Sequence, residues 1–288
     1  MRPPGFEPGL SARGALEIDY SALRSDFLVY LGRYDPRTAS CMLSYLDRFV
    51  GSKVIRGPLD VAGLFNGLSV GQHHQLDRAL RALLNFCLLK GCPEDWIRLL
   101  KKAIPKEPEF IDLKVPTEDE VVESLKRIIY IPIKYQALWL LCLESGLRLT
   151  EAVNMINSFD PLKLAAVNGF YRYQVGAFRG SKTAYYAYFT GEALKLIREV
   201  NEEVKYANAS HYFDKYGFLQ PKYLRKFVFD KMVELGVPES VADFIEGRAP
   251  QRIGAKHYMS LVKQADNYYG RYVEYLKALK EKADLRFM

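Results

Sequence analysis

At 288 residues, with 49% apolar and 13% aromatic side chains, the chain is long enough for about two domains, each burying its own core. Its net charge of +7 and pI near 9.0 suit a protein that surrounds DNA, although a surplus of this size also occurs in proteins with no nucleic-acid partner. No signal peptide, bilayer-length apolar run or disulfide framework is visible around Cys41, Cys87, Cys92 and Cys142, which excludes membrane and disulfide-scaffold classes and predicts reduced thiols in an intracellular, cytoplasmic protein.

Residues 1–16 have no amphipathic pattern and are expected to be disordered. Residues 17–104 read as a helical domain of four or five short helices. In one of them, Thr38 to Phe49, the residues Leu43, Leu46 and Phe49 recur at helical spacing. In another, Arg78 to Lys90, an apolar face of Leu80, Leu83, Leu84 and Cys87 ends at Gly91. Residues 105–116 mix prolines and opposite charges with weak periodicity, as an extended linker does.

A second domain, 117–288, opens on a capping box with Thr117 as N-cap and Glu120 at the third helical position. Tyr135 to Leu143 is an apolar run that reads as a buried helix, closed at Gly146 by a left-handed cap. Arg148 follows directly, held by rigid packing with its guanidinium fork free for a phosphate, and Glu151 is spaced to orient it if a helix starts there. Two aromatic-rich runs flank Arg179-Gly180-Ser181-Lys182, which predicts a β-hairpin with Lys182 at its tip.

Pro221 suits the first turn of a helix and Gly236 its C-cap. The i, i+3 spacing of Lys222 and Arg225 is expected to put both cations on one face, with Leu224, Phe227, Val228 and Met232 forming the apolar face. Two cations near a helix N-terminus oppose the macrodipole unless an anion lies there. A short helix from Pro238 should end at Gly247 and present Arg248, and a turn through Ala249-Pro250 then leads to Tyr258. Residues 260–282 form a Tyr- and Lys-rich helical stretch with Tyr268, Tyr272 and Tyr275 on one stripe, a pattern more often core than interface. Taken singly, each candidate also has a plainer reading: an arginine at a surface turn, a solubilising hairpin lysine, a solvated basic helix face. Tyrosine, at 20 of 288 residues, proves nothing alone.

The informative feature is the order Arg148, Lys182, Lys222, Arg225, Arg248, Tyr258. In that order the chain resembles a tyrosine recombinase of the phage-integrase family, in the branch of archaeal viruses and plasmids where the phrase Gly247-Arg248 … Lys256-His257-Tyr258 closes the active site. Lys222 stands where most members carry His, and Arg248 where they carry His or Trp. The resemblance is strong over about residues 117–288 and architectural before them. It implies a mainly α fold with a small β-sheet: a two-domain clamp of a helical core-binding domain and an α+β catalytic domain. It also implies double-stranded DNA at attachment sites as partner, and a homo-tetramer on that DNA from a free monomer or dimer. No membrane partner is expected.

The chemistry follows from the residue types. Phosphodiester cleavage concentrates negative charge on the non-bridging oxygens, and preorganised guanidinium groups of Arg148, Arg225 and Arg248 stabilise it more in the transition state than before. The Tyr258 phenol, with an ordinary pKa of about 10, needs nearby cations and a proton acceptor to attack at neutral pH, a part Lys222 can take if desolvation partly deprotonates it. Lys182 would protonate the departing 5′ oxygen. The resemblance implies a 3′-phosphotyrosyl link that conserves bond energy, so neither ATP nor a cofactor is expected. The four histidines show no metal-ligand spacing and no P-loop is present, so no metal site is expected either. Two other readings are open: a type IB topoisomerase-like relaxing enzyme, and a non-catalytic helical DNA-binding protein in which Tyr258 is structural.

One further clue is independent of the motif. Gly5-Phe6-Glu7-Pro8 back-translates to codons that can reproduce the GGTTCGAA-type core of a tRNA T-arm. This points to an attachment site inside the gene's own 5′ end, derived from a tRNA gene. A chance peptide or a cloning remnant is the plainer source.

Overall fold

The computed structural model describes residues 16–107, 112–179, 182–248 and 260–284. The expectations for the first fifteen residues, for the Gly180-Ser181 turn and for the stretch carrying Tyr258 lie outside them. The chain divides between Asp112 and Leu113 into two compact units.

The first unit is helical. A two-residue pair, β1 (Ile18–Asp19) and β2 (Val54–Ile55), sets Ile18 opposite Ile55. Around it run α1 (Tyr20–Leu31), α2 (Pro36–Phe49), α3 (Pro58–Gly63), α4 (Val70–Leu89) and α5 (Glu94–Lys102). Asp19 caps α1 by accepting the Ser21 N–H at 2.9 Å, and Asp35 caps α2 ahead of Pro36. Helix α4 starts well before Arg78 because Ser69 and Gln72 form a capping box that the apolar period does not reveal. Its Leu76, Leu80, Leu83, Leu84 and Cys87 pack with Phe27 and Leu46 into one core. Each such side chain contributes roughly 1.5–3 kcal/mol on burial.

In the second unit the box at Thr117 is present: Glu120 N–H donates to Thr117 Oγ1 at 3.3 Å, and Thr117 N–H to Glu120 Oε2 at 2.8 Å. It opens α6 (Glu118–Ile128). Helix α7 (Ile133–Ser145) is buried on almost every side from Ala137 onward, as an all-round apolar helix must be. Within it, Trp139 Nε1–H donates to Leu219 O at 3.0 Å. Gly146 closes the helix at φ +63°.

Helix α8 (Leu149–Asn157) follows, then an antiparallel sheet of β3 (Leu164–Val167), β4 (Phe170–Arg179) and β5 (Lys182–Phe189) in the order β3-β4-β5. The short Leu-Ala-Ala-Val of β3 carries little strand signal, and the sequence reading does not include it. Lys182 is the first residue of β5, paired with Arg179 on the last rung of the ladder at the hairpin end. The register shifts between Gln174 and Ala177, where Gly176 takes φ +60°.

After the sheet come α9 (Gly191–Glu199), α10 (Tyr206–Lys215), α11 (Pro221–Glu234) and α12 (Glu239–Ile245). The last helix among the described residues is α13 (Leu261–Lys282), whose tyrosine stripe packs on the core. Of the expected stripe, Tyr272 is fully buried and Tyr268 and Tyr275 pack partly buried at the core margin; Tyr269, which the stripe did not include, is fully buried as well. The protein is therefore mainly α with a small sheet. No helix among the described residues is long and apolar enough to cross a membrane.

Candidate active site

The site begins at the end of α7. Once Gly146 has turned the chain, Leu147 is buried and Arg148 becomes the N-cap of α8. Glu151, on the first turn of α8 and nearly fully buried, accepts the Arg148 backbone N–H at 2.9 Å and its Nη1 at 3.0 Å. The orientation by Glu151 expected from the spacing is thus present. Arg148 Nη1 also donates to Gly247 O at 3.1 Å, which ties α8 to the segment after α12.

Arg225 reaches the same corner from α11. It is buried, and its Nη1 donates to Gly146 O at 2.7 Å and to Glu246 O at 2.5 Å. Its Nη2 is buried without a hydrogen-bond partner. An unmet guanidinium donor at this depth is costly unless a ligand completes it. Burial pulls its pKa down to about 10, against the pull of Glu246 and with a push from Arg148 and Arg248. It therefore stays cationic at neutral pH.

Arg248 stands just past Gly247, which takes φ +75° after α12. Its Nη2 lies 3.1 Å from Glu246 Oε2, its Nη1 donates to Asp243 Oδ1 at 3.4 Å, and its guanidinium rests 5.0 Å from the Phe229 ring centroid. Three guanidinium groups from α8, α11 and the end of α12 thus converge on the Glu246-Gly247 corner, and the Arg248 side chain remains 39% exposed. Such a cluster stabilises charge that develops on a phosphate.

Lys222 is not drawn into that corner. Lys222 and Arg225 do not share a face as expected: Arg225 turns into the core, while Lys222 is exposed with its ammonium 4.3 Å from the Tyr223 ring centroid. Lys114 and Lys226 also approach that ring, at 5.3 and 5.6 Å. The backbone of Lys182 is fixed at the hairpin end. Tyr258 lies outside the described residues, between Arg248 and the start of α13. No group of three or more His, Cys, Asp or Glu able to hold a metal ion occurs among the described residues.

Sequence reasoning missed Glu246 and Asp243. The available signal was two carboxylates in the otherwise apolar stretch Val241-Ala-Asp-Phe-Ile-Glu246, just before Arg248. It missed as well a buried network behind the site. Lys280 of α13 donates to Glu144 Oε1 at 2.6 Å and pairs with Glu192, and Thr190 N–H donates to Glu144 Oε2 at 2.6 Å. Burial lowers the Lys280 pKa, but Glu144 and Glu192 outweigh it and the net shift is upward.

This arrangement is a cluster of three arginines gathered on a helical scaffold. Residues 113–275, more than half of the chain, match the archaeal phage integrase family, and the chain belongs to that family. It is a site-specific recombinase of the tyrosine class, as its motif order indicated. Among solved structures it is similar to an integrase from mycobacterium phage Brujita, at 11% identity and a TM-score of 0.40, covering 88% of this chain and 92% of the other. It is also similar to the XerH site-specific recombinase bound to difH substrate in a pre-cleavage complex, at 14% identity and a TM-score of 0.45, covering 91% and 84%. No curated protein matches the sequence significantly.

Proposed function

We propose that the chain cleaves and rejoins double-stranded DNA through a covalent 3′-phosphotyrosyl intermediate on Tyr258. The observation that carries this is the convergence of Arg148, Arg225 and Arg248, with Arg225 Nη2 buried and lacking an acceptor. A scissile phosphodiester set against that donor would receive guanidinium contacts from several sides. Negative charge gained in the pentacoordinate transition state would be met without reorganisation. Attack by the phenolic oxygen forms the phosphorus–oxygen bond to Tyr258 and breaks the bond to the 5′ oxygen, which leaves with a proton from Lys182. Lys222 takes the phenolic proton as a neutral amine, having lost its own proton to solvent when the bound DNA desolvates it. Its exposed position near Tyr223 means that the lysine must swing inward when DNA is bound.

Rejoining is the reverse step on a second strand, so the scheme draws on no ATP and no metal. The first unit acts as a core-binding domain closing over the duplex opposite the second, and four protomers assemble on paired attachment sites. The attachment site is derived from a tRNA gene and overlaps the codons of Gly5-Phe6-Glu7-Pro8.

A nicked suicide duplex carrying the gene's own 5′ end tests this reading. Wild-type protein should become covalently linked to DNA and Tyr258→Phe should not. Recombinant junctions from paired sites then separate a recombinase from a relaxing enzyme. Equal yields of adduct from both proteins would remove Tyr258 from the chemistry.

A further inference from the structure

The scheme above leaves Glu246 without a task, although all three arginines meet around it. Glu246 follows α12 as its C-cap and its side chain is fully buried. Oε2 lies 3.1 Å from Arg248 Nη2 and 3.6 Å from Arg225 Nε, yet neither carboxylate oxygen has an aligned hydrogen bond. A carboxylate this deep ordinarily collects directed N–H donors. Here the best-aligned donors go elsewhere: Arg225 Nη1 serves two carbonyls and Arg148 Nη1 serves Gly247 O and Glu151. The pairing with Glu246 is one of charge more than of direction. Beside it stands the complementary fault, the buried and unpartnered Nη2 of Arg225.

A tetrahedral anion corrects this mismatch. It supplies oxygens to the idle guanidinium donor and makes the charge of Glu246 redundant. The groups facing Glu246 are Arg225 from α11, Arg248 and Asp243 from the α12 segment, Arg148 from α8 and the Tyr272 phenol from α13. Burial is the largest influence and, with Asp243, pushes the Glu246 carboxyl up to about 8 despite the three arginines.

We propose that Glu246 is the positioning residue of the arginine corner: in the DNA-free protein its ionised form, in exchange with the protonated one, is a counter-ion that holds Arg225 and Arg248 together, and that remaining ionised fraction takes up a proton when a phosphodiester enters. This rests on the corner being the phosphate cradle. The added anion disfavours a second negative charge beside it, so a proton passes from solvent to a Glu246 oxygen. Both guanidinium charges then act on the phosphate. No bond to phosphorus involves Glu246.

Calorimetric titration of the full chain with the nicked duplex, near pH 8 in two buffers of different ionisation enthalpy, reads this uptake directly. Wild type should take up a measurable fraction of a proton. Glu246→Gln, which keeps the shape and removes the charge, should lose that uptake and bind DNA at least as tightly. Equal uptake by both proteins, or none by wild type between pH 7 and 9, overturns the proposal. Should Glu246→Gln not fold, difference infrared spectra of wild type serve instead: DNA must raise a protonated-carboxyl band, and its absence is decisive against the idea. If wild type forms the covalent adduct without proton uptake, only the role of Glu246 falls. If no adduct forms, the underlying reading falls with it.

Discussion

Lys280→Met isolates the buried network that joins α13 to α7 and α9. Lys280 is 5% exposed and Glu144 fully buried, so the substitution leaves a carboxylate without its cation deep in the second unit. Breaking a buried pair in this way costs about 3–5 kcal/mol. Glu144 keeps the Thr190 N–H at 2.6 Å and its hydroxyl at 2.9 Å, which places the expected loss near the lower figure. For a unit of this size about 3 kcal/mol corresponds to a fall of roughly 6–12 °C in Tm. Scanning calorimetry, following the transition of the second unit, measures it. Adding Glu144→Gln should recover part of the loss, because a neutral amide still accepts from Thr190 and needs no counter-charge. A drop below about 1 kcal/mol in the single variant, or no recovery in the double, would show that the network is not the buried ion pair it is taken for here.

Three other expectations are narrower. Arg148→Ala should slow covalent-adduct formation by about 10²–10³-fold, the scale of losing one donor to a developing oxyanion, while gel-shift affinity changes far less; equal losses in both assays would deny it a transition-state role. Gly146→Ala should destabilise the second unit by at least about 1 kcal/mol in urea unfolding from the left-handed φ alone. The new Cβ would also stand 2.8 Å from Glu246 Cγ, so adduct formation should fall with it; an unchanged unfolding midpoint would refute the close approach. Glu246 also makes stability depend on pH. Its carboxyl is held above its ordinary 4.5, up to about 8, so the folded state keeps a proton that the unfolded state has lost. Its contribution is present below about pH 4.5 and is lost as pH rises toward 8, at about 1.4 kcal/mol per unit where the difference is one full proton. Glu246→Gln should flatten that decline, and an identical pH–stability curve in the variant would count against it.

Most of the scaffold was legible because local rules and tertiary packing agree. The Thr117–Glu120 box, the run into Gly146, and Pro221 with Gly236 each mark a helix end by a mechanism that acts within a few residues. What escaped needs distance information. The α4 start is hidden behind polar residues, and β3 is a four-residue strand whose only support is its pairing with β4. In the site, the side-chain order of the arginines was visible, but the split between Lys222 and Arg225 was not. Helical spacing gives two neighbouring positions, while burial depends on which neighbour faces Gly146. Glu246 escaped for the same reason: a carboxylate in an apolar stretch is ambiguous until the three cations that surround it are brought together from separate helices.

The phenols of α13 have one more consequence. A helix terminus exposes carbonyls that nothing within the helix can satisfy, and for α7 those of Leu143 and Glu144 receive the hydroxyls of Tyr272 and Tyr269, each at 2.9 Å. The tail of the polypeptide thereby acts as a latch on the same turn that aims Arg148. Any truncated form ending ahead of Leu261 would leave that turn free to fray, so shortening the protein at its far end would blunt its reactive centre even with Arg148, Arg225 and Arg248 retained.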